Sequence, residues 1–151
     1  MKTIAYLQLN GNAAEALSFY KNALQATDVT EVRFGAFGQD PNYPLSETEQ
    51  EMVMEARIEF SGNVLMLSDV LPSMQAVTGP VTSGNTVLIS VIDAEPTVNE
   101  QLFTNLSEGG AVIMPLASMP WSASFGMLID SFGVTWKFNS DASKFLNGFN
   151  A

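Results

Sequence analysis

Gly109-Gly110-Ala111-Val112-Ile113-Met114-Pro115-Leu116, then Trp121-Ser122-Ala123-Ser124-Phe125-Gly126 and Asp130-Ser131-Phe132-Gly133-Val134-Thr135-Trp136, carry the reading of this chain. Apolar runs broken by Gly, Pro and Ser at short intervals predict three strands, Ala111 to Ala117, Ser124 to Asp130 and Val134 to Phe138. Upstream, Asn85 to Ile92 reads as a strand. Asp93 is placed to cap a helix whose first turn accepts Glu95 and Pro96, which runs to about Leu106 and ends at Gly109-Gly110. A short helix from Ala142 to Leu146, within 141–148, closes the chain.

The first half has the same order. Thr3 to Leu9 alternates, with Leu7 and Leu9 on one side and Tyr6 and Gln8 on the other. Asn12 is a natural N-cap, and helical spacing follows through Ala13, Ala16, Leu17, Tyr20 and Leu24. Val29 to Phe37 returns to strand character, and 38–49, with two prolines and several acids, reads as a long mobile loop. From Glu51 to Phe60, Met52, Met54, Ala56, Ile58 and Phe60 share one face while Glu51, Val53, Glu55, Arg57 and Glu59 share the other. The turn Ser61-Gly62-Asn63 leads into a strand from Val64 to Ser68.

The halves therefore read as a duplication. An offset of 71 residues sets Phe125, Met127 and Ile129 on Met54, Ala56 and Ile58, Gly133 on Gly62 and Trp136 on Leu65. The expected fold is α+β, two tandem βαβββ units at about 1–69 and 84–140 joined by a linker, 70–83. Side by side they would form a curved mixed sheet whose open face is a cup suited to a small molecule.

Composition narrows the chemistry. Among 151 residues there is no cysteine and no histidine, which excludes thiolate chemistry, a Ser-His-Asp triad and imidazole ligands. Six basic residues against 16 acidic ones give a net charge of −10 and argue against nucleic acid or an anionic membrane as partner. No run of about 18 apolar residues suggests a membrane span, and the N-terminus has no signal-peptide character, so a cytoplasmic protein is expected.

Tyr6-Leu7-Gln8-Leu9-Asn10-Gly11-Asn12-Ala13-Ala14-Glu15-Ala16-Leu17-Ser18-Phe19-Tyr20 resembles the opening of the PhnB-like proteins. Those proteins are a branch of the glyoxalase / bleomycin-resistance / extradiol dioxygenase (vicinal oxygen chelate) superfamily. Met54-Glu55-Ala56-Arg57-Ile58, Leu65-Met66-Leu67-Ser68-Asp69 and 130–136 are similar to its later blocks. The resemblance implies the cup-shaped fold and a homodimer. It also implies metal ligands (His, Glu or Gln) on the first and last strand of each unit. The matching positions here are Ile4, Met66, Thr86 and Lys137, which hold no such donor, so no metal and no cofactor are expected. Glu55 stands where related sequences often carry His.

The candidate site residues follow. Glu55, Arg57 and Glu59 form either a polar ligand floor or an ordinary solvated strand face. Tyr6, Gln8, Thr86 and Ser90 are expected to offer hydrogen bonds to the cup, and Met66 an apolar contact. Trp121 is placed to stack on an aromatic or cationic ligand, or to bury at a subunit contact. Lys137 is a base, a partner for an acidic ligand, or one end of a salt bridge. Trp136, sharing a face with Val134 and Phe138, reads as core. The loop 38–49 reads as a lid or a cover for a partner subunit.

The leading expectation is a metal-free binder of a small organic molecule, its ligand cationic or aromatic. The alternative is a lyase, isomerase or dioxygenase of the same superfamily, using an unorthodox oxygen-ligand metal site or Glu55 and Lys137. The third is a structural or interaction protein whose cup is filled by side chains.

Overall fold

The structure, a computed structural model, describes residues 1–149. The chain divides into two compact units, Met1–Thr82 and a second beginning at Ser83. Each is a βαβββ module with its own four-stranded mixed sheet, as the α+β reading expects.

The first unit contains β1 (Ala5–Leu9), α1 (Ala13–Ala23), β2 (Asp28–Arg33), α2 (Glu47–Glu51), β3 (Val53–Phe60), β4 (Asn63–Asp69) and α3 (Gln75–Thr78). Its sheet order is β1-β4-β3-β2, with β1 parallel to β4 and the other pairs antiparallel. Ala13, Ala16, Leu17, Tyr20, Ala23 and Leu24 bury one stripe of α1, which packs on β3 and β4, where Ala56, Ile58, Leu65 and Leu67 are buried. Asn12 occupies the N-cap position, but its side chain caps nothing. Asp69 takes that role from the far end of β4. Its Oδ1 accepts the Ala13 N–H at 3.0 Å and its Oδ2 the Val53 N–H at 3.0 Å, so one buried carboxylate ties the start of α1 to the start of β3.

Three expectations for this unit need correction. The alternation expected from Glu51 to Phe60 is broken by a β-bulge, because Val32 pairs with Glu55 but Arg33 with Val53. Met54 is the extra residue. Val53 is consequently buried (0% exposed) beside Ala56 and Ile58, while Met54 is 40% exposed. The strand expected to reach Phe37 ends at Arg33 and gives way to a 3-10 turn, Phe34–Phe37. A Cβ on Gly35 would lie 3.0 Å from the Gln50 carbonyl oxygen, so only glycine fits there without displacement. The expected loop 38–49 contains the start of α2, closed by a capping box. The Glu49 N–H donates to Ser46 Oγ and the Ser46 N–H donates to Glu49 Oε2, both at 3.1 Å.

The second unit contains β5 (Ile89–Ile92), α4 (Pro96–Ser107), β6 (Ala111–Met119), β7 (Ser122–Ile129), β8 (Thr135–Asn139) and α5 (Ala142–Phe149), with sheet order β5-β8-β7-β6. Phe103 and Leu106 of α4 are buried with Leu128, Trp136 and Phe138, and the Phe103 and Phe138 rings meet edge to face at 5.3 Å. Asp93 does not cap α4, which begins with Glu95 and Pro96. Held at φ +56°, its carboxylate instead accepts the backbone N–H and hydroxyl of Ser143 in the first turn of α5. The strand expected from Asn85 begins only at Ile89.

The duplication is real in element order, but one offset does not serve both hairpins. Ile58 pairs with Leu65, and Leu128 with Trp136. Trp136 therefore matches Leu65 at an offset of 71, while Leu128 matches Ile58 at 70. The second connection is one residue longer. Ser61 and Gly62, at φ +47° and +75°, make a two-residue turn between Phe60 and Asn63, whereas Asp130 organises a wider one. Its Oδ1 accepts the Phe132 N–H at 2.9 Å and the Val134 N–H at 3.0 Å. A one-residue change exchanges the two faces of a strand. Phe125, Met127 and Ile129 thus correspond to Glu55, Arg57 and Glu59, on the face turned away from the helix, not to the buried set beneath it.

Candidate functional site

Each sheet has one face under its helix and one turned away, and the candidate residues lie mainly on the latter. In the first unit the register runs Tyr6, Met66, Arg57, Thr30 across the four strands, with Gln8 and Ser68 paired in the next row. Arg57 pairs with acids of its own sheet. Its Nε lies 3.2 Å from Glu59 Oε1 and its Nη2 3.7 Å from Asp28 Oδ2, a half-exposed network of a kind that contributes at most about 1 kcal/mol. The Tyr6 side chain meets those of Ser68 and Glu55. Burial pushes the Tyr6 phenol up from its ordinary value, the Ser68 hydrogen bond opposes this, and the Glu55 charge and hydrogen bond add to it. Gln8 is exposed and Met66 half-buried.

The second unit presents a different surface. Ser90, Lys137, Met127 and Met114 form the equivalent row, so Lys137 takes the position of Met66 and Met127 that of Arg57. Lys137 Nζ lies 5.8 Å from the centroid of the Phe125 ring, within cation–π range. The Trp121 ring meets Phe125 edge to face at 6.0 Å and 79°. Trp121 remains 43% exposed, and beyond it a cleft of about 450 Å³ opens, lined by Met119, Asp141, Lys144 and Phe145 among others. Trp121 and Lys137, far apart in sequence and singled out separately, are thus joined through Phe125.

Thr86 is the sequence-predicted residue that does not join its group. It lies exposed in a bend ahead of β5, because that strand starts three residues later. Ser68, Phe125, Met127 and Met114 are neighbours that the sequence reading did not select. Phe125 and Met127 were hidden by the single offset. Aligning the two hairpins across their own turns, not along the whole chain, would have found them.

The residues do not fit a metal of the family type. Ile4 precedes β1 and Thr86 precedes β5, while Met66 and Lys137 sit centrally on β4 and β8. None supplies a carboxylate or an imidazole, and an ammonium at Lys137 opposes a dication. Among the described residues no group of three or more His, Cys, Asp or Glu side chains is placed to hold an ion.

No protein-family model matches the chain. By sequence it is similar to protein YjdN of Escherichia coli strain K12, 26% identical over 140 residues that span 89% of this chain and 91% of YjdN. The crystal structure of protein PA1353 from Pseudomonas aeruginosa matches with a TM-score of 0.72 at 34% identity, over 92% of this chain and 96% of that one. A PhnB protein from Bacillus cereus, described as a putative 3-demethylubiquinone-9 3-methyltransferase, matches with a TM-score of 0.67 at 24% identity, over 92% and 98% of the two chains. At that identity the last likeness speaks for the fold alone. The near-complete match to PA1353, the paired βαβββ units and the PhnB-like blocks together establish that this chain belongs to the PhnB-like branch of the glyoxalase / bleomycin-resistance / extradiol dioxygenase (vicinal oxygen chelate) superfamily.

Proposed function

We propose that the protein binds a small organic molecule without metal, against the open face of its second sheet. The array Trp121–Phe125–Lys137 carries this reading. Two aromatic rings at right angles give a flat ligand a wall and a floor. Met127 and Met114 beside them are adaptable apolar surface, and Lys137 and Ser90 supply polar anchors. The donor set at Ile4, Met66, Thr86 and Lys137 supports a site that works without a divalent ion.

The test is thermal melting of chelator-treated protein against a library of flat organic compounds and, separately, Mg²⁺, Mn²⁺, Zn²⁺ and Ni²⁺. A ligand at about 100 times its Kd stabilises the native state by ~2.7 kcal/mol, a shift of several degrees. Organic hits that vanish in Phe125→Ala and Trp121→Ala are expected. A shift with an ion and none with any organic compound would sink the reading.

A second reading, metal-free proton transfer by an enzyme of the same superfamily, is favoured by the contact of Tyr6 with Glu55. It requires that a bound compound be converted, and that Glu55→Gln abolish conversion while leaving binding intact.

A further inference from the structure

We infer that the ligand of the second sheet is a flat aromatic anion, a carboxylate or its chemical equivalent, whose charge pairs with Lys137. The inference rests on the binding reading above and deepens it. Net charge alone points the other way, since −10 overall favours a cation. The local arrangement decides otherwise. Lys137 is half-buried at the centre of the row Ser90–Lys137–Met127–Met114, and Phe125 and Trp121 extend the apolar surface around it.

Among the described residues, no carboxylate of its own unit is paired with that ammonium. The six acidic residues from Ser83 onward are committed or placed elsewhere. Asp130 holds its turn and the Trp136 indole, Asp93 holds Ser143, and Asp141 accepts the Ala123 N–H at 2.7 Å and lies 3.8 Å from Lys144. Glu95, Glu100 and Glu108 lie on or beside α4, which packs on the other face of the sheet.

A half-buried cation whose neighbours are Ser90, Met127 and the Phe125 ring is therefore left with a ring quadrupole where an anion would serve it better. The open-face cation of the first sheet is paired within that sheet, because Arg57, which stands at the position of Met127, has Glu59 and Asp28. Lys137, at the position of Met66, has no such partner in its own sheet among the described residues, which leaves its charge for a ligand. An aromatic carboxylate would satisfy both features together, its plane on Phe125 or Trp121 and its oxygens on Lys137 Nζ and the Ser90 hydroxyl.

The experiment uses three probes of one shape and different charge: 2-naphthoate, neutral 2-naphthamide and cationic 2-naphthylmethylammonium. Each is titrated by calorimetry into the wild type, Lys137→Met and Lys137→Arg, with the Met127 methyl resonance, assigned from Met127→Leu, locating the site. The Met variant copies the residue that β4 already carries at this position. The expected result is that 2-naphthoate binds at least about tenfold tighter than the other two. Lys137→Met should erase that preference, and Lys137→Arg should keep it. Equal affinity for the three probes, or full affinity for 2-naphthoate in Lys137→Met, would overturn the anion inference and leave the binding reading standing. Failure of all three probes to bind or to move Met127 would overturn both.

Discussion

The Trp136 indole N–H donates to Asp130 Oδ2 at 2.9 Å across the base of the second hairpin, with both residues buried. The other oxygen of the same carboxylate holds two backbone N–H groups of the turn, so Asp130 links the turn to the largest side chain of the core. Asp130→Ala leaves three donors without their carboxylate and is expected to cost about 2–4 kcal/mol in urea denaturation. Trp136→Phe removes one of those donors along with its acceptor's task, so combining it with Asp130→Ala should cost measurably less than the sum. Strict additivity would show that the indole bond contributes nothing.

Asp69 and Asn12 offer a sharper contrast. The sequence places Asn12 at the N-cap, yet the capping bond comes from Asp69, which also holds Val53. Asp69→Ala should therefore cost about 2–3 kcal/mol, and Asn12→Ala less than about 0.5 kcal/mol. The reverse order in chemical denaturation would contradict the geometry.

Asn99 is fully buried in α4, and neither its Oδ1 nor its Nδ2 has a partner among the described residues. Counted from the first residue of each helix, it stands where α1 carries Ala16. An unpaired buried amide costs more than the contacts of its short side chain return. Asn99→Ala is expected to leave stability unchanged or to raise it by about 1 kcal/mol, read from the denaturation midpoint. A loss of more than about 1 kcal/mol would mean that the amide is hydrogen-bonded in solution.

Acid sensitivity is expected to be confined to low pH. Glu49 is held below its ordinary value by hydrogen bonds from Ser46 and then Ser73. Asp93 is held down by Ser143, and Asp141 by the Ala123 N–H and then Ser140. A carboxylate with a depressed folded pKa contributes stability that is complete above its unfolded value, roughly 4, and is lost as pH falls through the folded one. With no histidine in the chain, the melting temperature should be flat from about pH 5 to 8 and fall below about pH 4. Glu49→Gln, Asp93→Asn and Asp141→Asn should each lower the plateau and flatten the acid limb. An acid limb as steep in the triple variant as in the wild type would refute the assignment.

Much of the fold was legible because it is written in local periodicity. Ala13, Ala16, Leu17, Tyr20 and Leu24 repeat at helical spacing and are all buried, and Trp136 and Phe138 sit in the core as their alternation requires. Ser46-Glu47-Thr48-Glu49 carried a readable capping signal that the prolines and acids around it obscured. Of the candidate residues, Tyr6, Glu55 and Ser90 are legible on the open faces from alternation and Lys137 from the family pattern, whereas the single offset assigns Phe125 and Met127 to the wrong side. Alternation gives the phase of a strand only until the ladder slips, and the bulge at Met54 and the wider turn at Asp130 each shift it by one residue.

The sequence by itself determined the element order, the duplication, the absence of imidazole and thiolate chemistry, and the family. These depend on residue identity and on neighbours a few positions away. Tertiary structure alone decided that Asp69 caps α1 and Asp93 reaches α5. It also decided that Arg57 pairs with Glu59 and Asp28 while Lys137 faces Phe125 with no acid of its own unit beside it among the described residues. Each of those outcomes joins residues 12 to 56 positions apart or depends on which strands pair, and pairing register is set by the packing of whole sheets, for which no local pattern in the chain is a substitute.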